Sequence, residues 1–535
     1  MSVAPELISS PAPALPLLAR PSGLSAKLLA ALSHRYVLGG VWIALTVVAL
    51  VPLWSQRVLT LYEAPLDFAM ARGWASYAAP LYRISQHYDL NVRFAPGVLF
   101  LAFMRGAMAL HVPLEVAHKL FLSLYVVLFP LSVLSLGRAF GRSPWLMLGS
   151  FALLFNQNWI FGSAGFLFGS CLVLIGVGRA LRYLEARQDR HLAAVALLGL
   201  AVYASDLVAW SVFVALVLAL LWAARSRVRA GVWLLAALFP GAILAASEVL
   251  LELSDPLVAK TDIKWVAHWH DFPTLAMELP RRIADVVPGH LDTALLVVLA
   301  LTIFAALLWR GESGGASRAG ELKAMVAALG ALYLLLPFSI ERPLTFTALS
   351  PRLPWLMMTL VLLSPPGRIR GMRVLLLLPL LAMELVFPIK LSKRYRVFSW
   401  RVRPFLRLVE SLPMAAPTLV VRRGLAQANI DASEDSASSG AVYGHFTAWP
   451  LALRGGVDPF VSPLALPIRP KAESALYDMP VYMSDFLQPW QAPKFRYYLV
   501  HDAVAFWEKD PALHKIDEGG DWTLFERVRS STDEP

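Results

Sequence analysis

The chain has 535 residues, 57% of them hydrophobic and 16% charged, with a formal net charge of +11. Soluble globular proteins average about 45–50% apolar and about 25% charged residues, so the composition excludes an ordinary soluble fold. A positive balance on a soluble chain would suggest nucleic acid; here the basic residues sit mainly in short segments between hydrophobic stretches, which excludes that partner and reads as the orientation signal of a membrane protein.

Residues 1–35 are rich in Pro, Ala, Ser and Leu and read as a disordered, cytoplasmic N-terminus. The apolar run 36–54 has no small-residue cleavage pattern after it, so it reads as a retained first span. Ten more spans are expected, at 116–136, 144–160, 164–183, 191–205, 208–224, 231–252, 291–309, 322–340, 352–365 and 372–389. Each must be helical, because lipid offers no partner for backbone N–H and C=O groups. The 191–224 stretch has a rival reading as one long tilted helix, since its halves are short and meet at Ser205-Asp206.

Charge fixes the parity. Arginines gather at Arg138 and Arg142, at Arg179–Arg190, at Arg225–Arg229, at Arg310 and Arg318, and at Arg368–Arg373. The turns near 156–163 and 205–208 carry no Lys or Arg, and this alternation follows the positive-inside rule. It holds only if the apolar stretch 95–110, which contains Arg105, lies on the membrane surface instead of crossing it. Residues 55–115 then form one long external loop. The same parity places 391–535 outside, although a basic cluster from Lys390 to Arg407 directly follows the last span. Within that segment 418–421, 495–500 and 522–528 read as strands, 503–513 as a helix and 428–440 as a polar loop. The expected fold class is an all-α polytopic membrane domain (36–390, about eleven transmembrane helices) with a small α/β C-terminal soluble domain (391–535). Cys171 is the only cysteine and allows no internal disulfide.

The first external loop carries the most chemistry. It reads Glu63-Ala-Pro-Leu-Asp67, then His87-Tyr-Asp89 and Arg93-Phe-Ala-Pro-Gly. An acid held just past a helix end can act as a general base, or bind a divalent cation that neutralises a phosphate leaving group; a solvated acid or helix cap is the plain alternative. A second cluster is Trp265-Val-Ala-His268-Trp-His270-Asp271. His268 and His270 in a strand would face the same way and, with Asp271, are metal candidates; a Trp-anchored interfacial loop is the plainer reading. Arg281 and Arg282, with Lys264, can hold a phosphate or sit among anionic headgroups. Asp206, Glu248, Arg352 and Glu384 fall within or at the ends of spans, where ionisable groups are costly. Asp206 and Arg352 fall at external ends and can share a cavity with Asp67. Asn156, Gln157 and Asn158 can bond a sugar or cap a turn.

The order of these features resembles the GT-C superfamily of membrane glycosyltransferases, which use polyprenyl-phosphate-linked sugars. The matching elements are Pro65-Leu66-Asp67 after the first span, the surface stretch 95–110, the span opening Glu115-Val-Ala-His-Lys119-Leu, the turn Phe155-Asn-Gln-Asn-Trp-Ile-Phe-Gly162 and a terminal Tyr-Tyr-Leu-Val … Trp-Thr-Leu-Phe-Glu pattern. The resemblance is closest to uncharacterised bacterial membrane proteins of this kind and covers most of the chain. It implies a catalytic Asp67, a polyprenyl-phosphate-linked sugar as donor, an external acceptor and a place in the bacterial inner membrane. Where many members carry a His or second acid after the early Asp, this chain has Met70, Ala71 and Arg72, leaving His87 and Asp89 to fill that role. Two other functions stay open: a transporter or flippase of a lipid-linked envelope intermediate, with Asp206, Glu248 and Glu384 along its pathway, and a non-catalytic membrane subunit of an envelope assembly.

Overall fold

The computed structural model describes residues 35–224, 228–254, 267–284, 286–287, 289–308, 318–340, 349–365, 369, 371–422, 445–458, 467–471, 495–501 and 507–528. The expected N-terminal segment up to residue 34, Lys264 and the polar loop 428–440 lie outside the described residues. The longer helices are α1 (Arg35–Trp54), α2 (Ala64–Ala75), α3 (Val98–Ala109), α4 (Leu114–Ala139), α5 (Ala164–Ala186), α6 (Asp189–Ser205), α7 (Leu207–Ala223), α8 (Val228–Ser254), α9 (Phe272–Ile283), α10 (Leu291–Leu308), α11 (Ala319–Leu335), α12 (Pro354–Leu362) and α13 (Leu378–Ser411). Among the described residues, six helical segments are long and apolar enough to cross a membrane: α1, α4, α5, α8, α10 and residues 374–411. The chain is an integral, multi-pass membrane protein.

Several expected spans take another form. Residues 144–160 are not one helix: a 3-10 helix covers Leu146–Leu153 and a short α-helix Gln157–Phe161, with the Asn156 side chain accepting from Asn158 N–H at 2.9 Å between them. All eight residues of the 3-10 segment are buried, so no lipid meets its less regular backbone. The rival reading of 191–224 as one helix fails at Asp206. Its backbone is extended and its carboxylate accepts from Ala209 N–H at 2.8 Å, which ends α6 and starts α7. Residues 352–365 yield only the nine-residue α12, behind a 3-10 turn at Ser350–Arg352. The stretch 95–110, expected on the membrane surface, contains the twelve-residue α3.

The boundary expected at Lys390 lies inside α13, whose 34 residues run unbroken to Ser411. At 1.5 Å per residue this is roughly 50 Å, longer than the ~30 Å of hydrocarbon a span must cross, and the basic cluster lies on its second half. A four-stranded mixed sheet packs on that half. Thr418–Arg422 runs parallel to Tyr497–His501, which pairs antiparallel with Trp522–Arg527, and Leu513–Gly519 forms the far edge. Phe405 of α13 meets the Trp522 ring at 4.4 Å, and Arg407 donates to the Glu518 carbonyl at 2.8 Å. The helix expected at 503–513 is corrected at its end, where Leu513 opens a strand; 502–506 lie outside the described residues.

Other C-terminal residues cover the first loop. Trp449 packs on Phe68 of α2 with ring centroids 5.3 Å apart, and Arg72 donates to the Ala452 carbonyl at 3.1 Å. The strand Ile468–Pro470 pairs antiparallel with Tyr88–Leu90. The C-terminal segment and the first loop therefore share one face of the molecule.

Candidate functional site

The start of the first loop is pinned to the turn before α5. Tyr62 and Glu63 donate their N–H groups to the Ile160 and Phe161 carbonyls at 3.0 and 2.9 Å. Gly162 makes the close approach with φ +78°; a Cβ there would stand 3.3 Å from Glu63 N, and an L side chain rarely adopts that φ. Glu63 is the cap residue of α2, Pro65 occupies its first turn, and Asp67 lies one turn on, its N–H bonded to the Glu63 carbonyl at 3.0 Å. The two carboxylates thus rise from one face of one helix end.

Asp206 and Arg352 complete the cluster. The Asp206 Oδ1 caps α7, and Oδ2 accepts from Arg352 Nη1 at 3.2 Å. The Arg352 guanidinium also lies 5.4 Å from the Phe166 ring centroid on α5. Gly165, one residue before Phe166, lets this corner close: a Cβ would sit 2.4 Å from the Ser205 carbonyl oxygen. Both Asp206 and Arg352 are close enough to act on the charge of Glu63, and Glu63 acts on Asp67. Three acids and one arginine, contributed by three separated stretches of chain, form a continuous electrostatic group.

Burial raises the Glu63 carboxyl above the usual carboxylate range; Arg352 and the Ser163 hydroxyl pull it down, and the Asp206 charge pushes it up. Burial lifts the Asp67 carboxyl well above that range, and the Glu63 charge adds to the rise. His118 Nε2, from α4, stands 3.8 Å from Asp67 Oδ2, beyond hydrogen-bond reach, with Phe68 and Phe100 ring centroids 5.2 and 5.8 Å away. Asp67 keeps 21% of its side chain exposed, whereas His118 keeps 2%. The acid is therefore reachable from outside and backed by a buried imidazole.

The other expected residues lie elsewhere. His87 ends a short helix and Asp89 is exposed on the strand Tyr88–Leu90, opposite Arg469. Burial lowers the His87 pKa, and the neighbouring Lys471 and Arg83 charges lower it further. His268 lies on the two-residue strand Ala267–His268, paired with Ser339–Ile340. His270 stacks on Phe338 at 4.5 Å and reaches Glu278 at 3.4 Å. Asp271 caps α9 by accepting from Thr274 N–H at 3.1 Å, and bonds to the Thr274 hydroxyl and backbone N–H hold it below the usual carboxylate range. Arg281 and Arg282 occupy the last turn of α9, where Arg282 pairs with Glu278 at 2.5 Å. Among the described residues no three His, Cys, Asp or Glu side chains converge as a metal site would require. Glu248 pairs with Arg93 of the first loop, and Glu384 accepts from Ala152 N–H at 3.2 Å.

Glu63 and His118 were visible in the sequence without being singled out. The i, i+4 spacing of Glu63 and Asp67 is a helix-face signal that a pairwise reading would have caught. Nothing local marks His118, because only the packing of α4 on α2 brings it to Asp67.

No family model matches the chain, and no curated protein matches it. Solved structures do. ArnT from Cupriavidus metallidurans bound to undecaprenyl phosphate superposes with a TM-score of 0.52 at 10% identity, covering 94% of this chain and 100% of that one. Its apo form gives 0.52 at 11% identity, over 92% and 98%. In fold, the chain resembles the GT-C membrane glycosyltransferases. The mycobacterial arabinofuranosyltransferase AftD extends the likeness, with a TM-score of 0.50 at 14% identity over 94% of this chain and 40% of that longer one. This GT-C-like fold accounts for the helical membrane body and the structured first loop; chemistry must be argued from the residues themselves.

Proposed function

We propose that the protein is a bacterial inner-membrane glycosyltransferase that moves a sugar from a polyprenyl-phosphate carrier to an extracytoplasmic acceptor. The observation that carries this reading is the Asp67–Glu63–Asp206–Arg352 group on the face shared by the first loop and the C-terminal segment. Asp67 is the catalytic base. An acceptor hydroxyl attacks the sugar's anomeric carbon as the bond from that carbon to the phosphate oxygen breaks. The phosphate leaves with the electron pair, and the hydroxyl proton passes to Asp67. A carboxyl held above its ordinary range is a stronger base than a free aspartate, which suits proton removal near neutrality. One displacement inverts the sugar carbon.

Arg352 supplies the cation for the carrier phosphate. Asp206 and the Phe166 ring hold its guanidinium in place, so a charge-assisted bond to phosphate needs little reordering. Arg281, Arg282, His87 and Asp89 are further candidates for contacts with carrier or acceptor, at greater remove from the acids. A divalent cation would have to draw on substrate oxygens, given the donors present, and no step above uses one.

The test is transfer by the purified full chain with a polyprenyl-phosphate sugar donor. Asp67→Asn should lower the rate by roughly 10²–10⁴-fold while donor binding persists. Wild-type turnover retained by Asp67→Asn would remove Asp67 as the base. Loss of function only on truncating the segment after α13 would favour a non-catalytic subunit.

A further inference from the structure

A second feature on the same face is basic instead of acidic. A cavity of about 500 Å³ opens where α1 ends, where α4 begins and where the second half of α13 passes both. Its wall includes Arg57, Lys119, Arg403 and Arg407, against one carboxylate, Glu410. Three of the cations are already engaged, two of them in ion pairs. Arg57 bridges Glu115 and Glu410 at 3.0 and 2.9 Å, and Arg407 reaches Asp517 at 3.7 Å as well as the Glu518 carbonyl. Lys119 donates to the Gln56 carbonyl, which holds its ammonium at the inner end of the space. Arg403 has no ion-pair partner among the described residues and is exposed. The remaining wall combines an apolar side, Trp54, Val58 and Leu406, with the polar Ser55, Gln56 and Ser399. Trp54 lies at the end of a span, 46% exposed, where indole rings sit at the level of lipid headgroups.

We propose that this cavity binds a phosphoryl anion at headgroup depth, carried by a membrane lipid or entering as free phosphate, at a site separate from the Asp67 group. The chemistry suits that anion class. Guanidinium and ammonium donors line the cavity from two helix ends and the side of α13, and Arg matches phosphate oxygens bidentately. The volume suits a headgroup, within the range of about 300–1,000 Å³ common for small-molecule sites. The Trp54, Val58 and Leu406 side would accept the first carbons of a lipid glycerol, while an ordinary surface ion pair needs no such wall. The adjacent His118 and Lys119 on α4 turn to different neighbours, one to Asp67 and the other to Gln56, so the two sites share a helix without sharing a lining.

The experiment is native mass spectrometry of the detergent-solubilised full chain titrated with dioleoyl phosphatidic acid, with dioleoylglycerol as the phosphate-free partner. Binding is read without turnover, so the result stands apart from the proposed transferase activity. Wild-type protein should retain phosphatidic acid and not dioleoylglycerol. Arg403→Gln with Arg407→Gln should weaken retention about tenfold or more. Because Arg407 also ties down the sheet, Arg403→Gln alone is the second variant and should weaken it roughly threefold or more. Arg401→Gln, on the same helix and outside the cavity, should leave retention unchanged. Inorganic phosphate that displaces the lipid marks free phosphate as a second source, and retention indifferent to phosphate marks the headgroup alone; either result supports the site. Equal retention of dioleoylglycerol, wild-type retention by both variants, or equal loss in Arg401→Gln would overturn it.

Discussion

Two clusters look alike in sequence and differ in the folded chain. Glu63-Ala-Pro-Leu-Asp67 and His268-Trp-His270-Asp271 are both short polar runs beside apolar segments. The second is engaged mostly by its own helix and one neighbouring strand: Asp271 caps α9, Glu278 meets His270 and Arg282, and Phe338 stacks on His270. The first is not. Its carboxylates lie against His118, Asp206 and Arg352 from distant parts of the chain and are held at raised proton affinity. A polar run that completes its own bonding has little left for a ligand, whereas acids gathered by tertiary packing retain unspent charge.

The sharpest way to break that contrast is to exchange the consequences. His268→Ala with His270→Ala should leave transfer within about twofold of wild type, against the loss expected at Asp67; a collapse of donor-dependent rate in the histidine variant would move the chemistry to α9. Next in size is Gly165→Ala. Its methyl would enter the Ser205 carbonyl, separate α5 from the α6–α7 corner and displace the Asp206–Arg352 pair, at a cost of about 1–3 kcal/mol. Transfer should fall together with thermal stability, as a melting curve and a rate assay on the same preparation would show.

Proton affinity gives a finer test. Removing the Glu63 charge relieves part of the rise at Asp67, so Glu63→Gln should shift the acid limb of the rate profile to lower pH. The stability sign follows from the same shifts. The unfolded carboxyls release protons first, so folding loses stability as pH rises from the ordinary carboxylate range toward the raised folded values. Asp67→Asn should therefore melt higher than wild type, on the order of 1–3 °C at pH 8, with the gap closing toward pH 4. A gap that is constant across pH would mean the carboxyl is not raised. The smallest effect belongs to Asp271→Ala, which loses a helix cap worth about 1 kcal/mol and should leave the rate unaltered.

Much of the membrane body was legible beforehand. Helices or helical turns occupy every expected span, because the apolar runs leave the backbone no other hydrogen-bonded form. Their lengths were less legible. Leu146–Leu153 has a span's composition and yet is enclosed by protein, and α13 continues past the point where its apolar residues end. Three C-terminal strands fell where alternation and turn residues put them, whereas the expected Lys390 boundary vanished into a helix.

By itself, the sequence determined that the chain is a membrane protein, where its apolar helices lie and which first-loop acids deserve attention, since hydropathy and charge are local quantities summed along the chain. Only the tertiary structure decided that His118 stands beside Asp67, that Asp206 pairs with Arg352 and that the C-terminal segment covers the first loop. Those partners are separated by tens to hundreds of residues, and Coulomb and desolvation effects act through space over a few ångströms, so they exist only once packing has brought the segments together.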